Sequence, residues 1–81
     1  MGADTQKARD DVRHKVLMEE LAGEQKLLEK ANQDLNDART ARPGEQKSSA
    51  KYLARVDDAE KAVQRHRANV ESLQREIGKL K

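Results

Sequence analysis

Residues 52–80 read YLARVDDAEKAVQRHRANVESLQREIGKL. Within them Tyr52, Val56, Ala59, Val63, His66, Val70, Leu73, Ile77 and Leu80 recur at alternating steps of four and three. That spacing places all nine on one stripe of a helix, the seam of a coiled coil. Such a stripe is stable only when it is buried against another helix.

A rougher seam runs upstream. Leu21, Leu28 and Leu35 form one of its core positions, with Leu17, Glu24, Ala31 and Ala38 at the other. His14, Asp10 and Lys7 prolong it backwards, so its start is polar and is expected to fray. The two seams are separated by ARPGEQKSS at residues 41–49. Pro43 disfavours helix at Arg42, Pro-Gly is a turn pair, and Ser48 or Ser49 can cap the second helix. Elsewhere Ala, Leu, Glu, Gln, Lys and Arg dominate, all good helix formers. The expectation is one domain over residues 1–81, with helix one at about 5–41, a turn at about 42–45 and helix two at about 46–79. Asp4 or Thr5 can cap the first helix. Fold class is therefore all-α, a two-helix antiparallel coiled-coil hairpin.

In an antiparallel pair, facing seam residues have numbers of constant sum. Centring the turn on Pro43-Gly44 sets that sum at 87. It predicts the layers Leu35–Tyr52, Ala31–Val56, Leu28–Ala59, Glu24–Val63, Leu21–His66, Leu17–Val70 and His14–Leu73. It also brings Asp34 near Arg55 and Arg13 near Glu76.

Composition narrows the function classes. Phe and Trp are absent, Tyr52 is the lone aromatic residue, and 40% of residues are charged. In an aperiodic sequence that balance would mean disorder; the periodic apolar residues make it a long charged helix instead. Residues 1–43 carry eight basic and nine acidic groups, net −1, and residues 44–81 carry nine and six, net +3. Charge this balanced is no strong polyanion trap. Without cysteine, neither disulfides nor thiolate metal sites exist. No apolar run approaches the ~20 residues that span a bilayer, and none reads as a signal peptide. Met1-Gly2 is the kind of start that an expression vector adds, so the chain reads as a segment of a longer protein.

Few residues invite chemistry. His14 and His66 are the two histidines; neither has His or Cys at helical spacing, so no metal or catalytic role is expected and His66 reads as a seam residue. Glu24 is odder, because a carboxylate on a seam costs stability unless it is paired or reaches solvent. Together, Glu24 and His66 form a polar step one layer apart, with snorkelling of Glu24 the favoured reading. Nucleophile elbows, phosphate loops and calcium loops are all missing, and no cofactor is implied. Lys61, Arg65 and Arg67 make a basic patch on helix two. Asp57, Asp58 and Glu60 adjoin it and no stacking aromatics accompany it, so nucleic acid is not the expected ligand. Off the seam, Val12, Val16 and Leu27 form a second apolar stripe on helix one, a face for another hairpin in a four-helix assembly.

Three phrases belong together: residues 4–13 (DTQKARDDVR), Glu20-Leu21, and residues 66–76 (HRANVESLQRE). With them the chain resembles the C-terminal helical tail of a family of small exported proteobacterial proteins of unknown function. In that family a short N-terminal domain with a signal peptide precedes the tail. The resemblance implies a periplasmic or exported location, and it transfers neither an activity nor functional residues.

The expected role is a non-catalytic structural or protein-interaction coiled-coil segment. Its interaction seam is Leu17, Leu21, Leu28, Leu35, Tyr52, Val56, Val63, His66, Val70, Leu73 and Ile77. The expected partners are further copies of the chain or another protein. The runner-up is peripheral binding of nucleic acid or an anionic surface through the basic side of helix two.

Overall fold

The computed structural model describes residues 2–80, with side chains described from Gln6 onward. Two helices, α1 (Gly2–Arg39) and α2 (Ala50–Gly78), pack along each other as an antiparallel hairpin measuring 69 × 14 × 13 Å. The all-α hairpin expected from the two seams is thus the fold. Helix one starts at Gly2 and not near residue 5, so Asp4 and Thr5, the expected caps, lie within its first turn and do not cap it.

The connection is longer than the four-residue turn expected from sequence, and it occupies residues 40–49. Thr40 N–H bonds to the Asp37 carbonyl at 3.1 Å, tightening the last turn of α1. Next, Glu45 N–H closes on the Arg42 carbonyl at 2.8 Å around Pro43-Gly44, with Gly44 at φ 78°. Proline second and a positive-φ glycine third make a type II turn. A further turn joins Ser49 N–H to the Gln46 carbonyl at 3.0 Å. Helix two therefore begins at Ala50 and not near residue 46. Ser49, at φ −67° and ψ 147°, is its cap, and its side chain accepts from Tyr52 N–H at 3.2 Å.

This longer connection corrects the register. With the helices ending at Arg39 and starting at Ala50, the turn is centred beyond Pro43-Gly44, and α2 is displaced by about one turn against α1. His66 meets Glu24, not Leu21. Moving along both seams from that pair sets Leu28 level with Val63 and Leu35 level with Val56. One apolar cluster contains all four, together with Ala31, Ala59 and Ala62. At the open end His14 shares a groove with Ile77 and Leu80, not with Leu73. Nor do the two flanking ion pairs expected from sequence form: Asp34 pairs with Lys30 at 3.5 Å, and Arg55 turns to Glu45. Among the described residues Arg13 and Glu76 make no ion pair.

Burial follows the seams. Leu17, Ala31, Leu35, Ala38, Tyr52, Val63 and Val70 are buried, and among the described residues no polar side chain is. Yet each of the seven keeps 5–8% of its surface exposed. A two-helix layer encloses nothing completely, which limits the apolar burial available to stabilise it.

Candidate interaction surface

Eleven residues were expected to form the seam, and the structure brings them to the helix–helix contact. Leu17, Leu35, Tyr52, Val63 and Val70 are buried; Leu21, Leu28, Val56, His66, Leu73 and Ile77 are half-buried. The expected second stripe stays exposed outside it, with Leu27 at its border beside Ser72 and Leu73. Val12 is 64% exposed, and Val16 and Leu27 are each 45% exposed. Met18 and Leu53, which the periodicity did not single out, are also exposed. His14 is exposed, while His66 lies in the seam.

Glu24 and His66 are direct partners. His66 Nδ1 lies 2.9 Å from Glu24 Oε2, and their side chains are 21% and 23% exposed. The carboxylate beside Nδ1 keeps the proton of a neutral ring on that nitrogen. Glu24 is held below the ordinary carboxylate range, chiefly by this hydrogen bond. Partial burial opposes the effect and the Asn69 side chain supports it. So Glu24 is paired within the seam, and the snorkelling reading does not describe it. Beside the pair, an open groove of about 440 Å³ is lined by Glu20, Gly23, Glu24, Leu27, Asn69, Ser72 and Leu73. A groove open to water along its length cannot exclude it from a reaction. Among the described residues no hydrogen bond links Ser72 to His66, and no three His, Asp or Glu side chains converge as a metal site would require.

The hairpin end holds a second polar cluster that the sequence did not reveal. Arg55 donates to the Glu45 carboxylate at 2.6 and 2.9 Å and to the Ala38 carbonyl at 3.1 and 3.2 Å. A longer contact of 3.4 Å reaches the Thr40 carbonyl. Tyr52 adds its hydroxyl, which donates to the Arg39 carbonyl at 3.1 Å. The C-terminal carbonyls of α1 lack partners within their own helix, and these two α2 side chains supply them. The Arg55 guanidinium draws the Glu45 carboxyl down to about 2. Partners ten and more residues apart follow no helical period, so no repeat signals them.

The basic patch is partly neutralised. Lys61 pairs with Asp57 at 2.9 Å, while Arg65 and Arg67 stay exposed. Among the described residues no helix is long and apolar enough to cross a membrane.

Neither a protein-family model, a curated protein nor a solved structure matches this chain. The surface itself therefore carries the functional reading.

Proposed function

We propose that this chain is a non-catalytic coiled-coil segment whose work is structural, and that it self-associates through the outer face of α1. One observation carries the reading: Val12, Val16 and Leu27 stand exposed on a hairpin whose own core is a single layer. A second hairpin laid on that stripe would bury it and build a four-helix assembly, thickening a core that two helices leave thin. The open groove beside Gly23 and Leu27 adjoins the stripe and adds to the face. Pairing of Lys61 with Asp57 weighs against a polyanion as the partner.

On the family resemblance, we place the segment in a larger exported bacterial protein of the periplasm. Fractionation of cells producing the full reading frame tests that placement.

Self-association is tested by mass and by melting. Sedimentation equilibrium should give a mass above 9.2 kDa at high micromolar concentration, with a melting temperature that rises with concentration. A monomer under those conditions, melting independently of dilution, overturns the reading.

A further inference from the structure

Gly23 has no explanation within a single hairpin. A glycine in a helix interior costs up to ~1 kcal/mol relative to alanine. Its φ is not positive, unlike that of Gly44, and a Cβ built on it would meet nothing within 4 Å. Neither a turn nor tight packing against α2 requires it.

Its surroundings on α1 are ordered. At ~100° per residue, Arg9, Val16, Gly23, Leu27 and Asp34 share one strip of helix surface. All five are exposed. Along the helix the strip reads cation, apolar, glycine, apolar, anion. Laid against itself in the same direction, it would set Arg9 on Arg9 and Asp34 on Asp34. Laid end over end, with facing numbers summing to 43, it sets Val16 on Leu27 and Arg9 on Asp34, twice each. Glu20 then falls over Gly23, where the missing Cβ lets the two backbones approach. The strip is thus self-complementary in apolarity and in the charges at its ends, while the two exposed Glu20 side chains flank the two-fold axis as a like-charge cost screened by solvent.

We propose that Gly23 marks the crossing of a two-fold dimer in which α1 packs end over end on α1 of a second copy, with Arg9 of each chain meeting Asp34 of the other. This rests on the self-association proposed above and specifies its geometry. Among the described residues Asp34 is held within its own chain only by the exposed contact with Lys30 at 3.5 Å, and so it can be drawn to the second copy. Arg13 and Lys30 of opposite copies come level in this arrangement. That like-charge approach lies at the margin of the strip and opposes the dimer weakly, screened by solvent.

The test uses opposite signs. Gly23→Ala should raise the melting temperature of dilute, monomeric chain, because the helix gains and nothing clashes. The same change should weaken association, by about tenfold. Separately, Arg9→Glu and Asp34→Arg should each weaken association of the chain with itself, since each sets like charges opposite one another. Mixed in equal amounts the two variants should form a heterodimer, because one interface then holds one Arg9–Asp34 pair and one reversed pair. Sedimentation of the separate and mixed variants reads both effects. If the wild type assembles but Gly23→Ala assembles as well as it does, or the mixed variants gain nothing, the end-over-end geometry is wrong and self-association stands. If the wild type is a monomer, both proposals fall.

Discussion

His66 Nδ1 and Glu24 Oε2 meet at 2.9 Å across the seam, joining α1 to α2 at mid-length. The pair is half-buried, and it interrupts an apolar run that extends from Leu17 to Leu35 on α1.

Acid should loosen this contact through Glu24. The folded carboxyl titrates below its ordinary value of 4.5 because His66 donates to its charged form. A group with a depressed folded pKa adds stability that is fully present above its unfolded value and is lost as pH falls through its folded value. Glu24→Gln keeps an acceptor for the ring but cannot titrate. Melting curves between pH 7 and pH 3 should therefore fall less steeply for Glu24→Gln than for the wild type. Equal slopes would mean that the contact adds nothing to the acid limb.

Replacing both partners should stabilise the hairpin, whereas replacing one should not do so to the same extent. Glu24→Leu alone leaves a half-buried imidazole without its acceptor; Glu24→Leu with His66→Leu fills the layer with apolar groups and strands nothing. The expected order of melting temperature at pH 7 is double variant, then Glu24→Leu. A double variant that melts below the wild type would show that the polar layer stabilises this fold more than leucine packing could.

The fold was legible because one signal, the four-three spacing, runs through both halves. Register was not, and the reason is local. Counting from Pro43-Gly44 assumed a tight turn, whereas Ser49 is the residue that caps α2 and it lies past a second turn. Seam repeats by themselves admit sliding, because Leu, Val and Ala fill successive layers equally well. The partnership of Glu24 with His66 was half-visible: both stood out as polar residues on apolar seams, and the turn count placed them one layer apart. Arg55 was misassigned to Asp34 because flanking positions were read from the same count. Its actual acceptors are the Glu45 carboxylate and two main-chain carbonyls, and a main-chain acceptor leaves no trace in side-chain patterning.

Crosslinking reads the corrected register directly. With Leu28 level with Val63, cysteines at those two positions should oxidise to an intramolecular disulfide faster than cysteines at Leu28 and Ala59. The two arrangements differ by a displacement of ~6 Å along the helix, more than disulfide geometry tolerates without backbone movement. Faster closure of the Leu28–Ala59 variant would restore the tighter turn.

Two substitutions in the connection should each weaken the hairpin. Ser49→Ala removes the acceptor for Tyr52 N–H and should cost about 0.5–2 kcal/mol. Gly44→Ala forces a side chain into the φ 78° conformation, at ~1–2 kcal/mol. No neighbour crowds that position, so the loss would come from the backbone alone. Urea midpoints at one fixed low micromolar concentration measure both. A Gly44→Ala variant as stable as the wild type would show that the turn can adopt another form.

Arg55 should be the most sensitive charged residue in the chain. Its side chain is 24% exposed and that of Glu45 is 14% exposed, against 69% and 57% for Lys61 and Asp57. A solvated pair such as Lys61–Asp57 contributes little, whereas Arg55 also serves carbonyls that end α1. Arg55→Met keeps an apolar stem, strips away every donor and removes the guanidinium that lies 5.4 Å from the centre of the Tyr52 ring. It should lower the melting temperature well beyond the effect of Lys61→Met. Loss of the clasp should also release the C-terminal turn of α1, so amide exchange should quicken around Asn36–Thr40 more than near Glu24. Glu45 supplies the pH signature. Its carboxyl is drawn to about 2, so its contribution is complete above pH ~4.5 and fades as pH falls towards 2. Glu45→Gln should remove that lowest part of the acid limb and leave the part governed by Glu24. If Arg55→Met and Lys61→Met melt alike, the clasp is not what fixes the end of the hairpin, and the position of the α2 start must rest on the Ser49 cap alone.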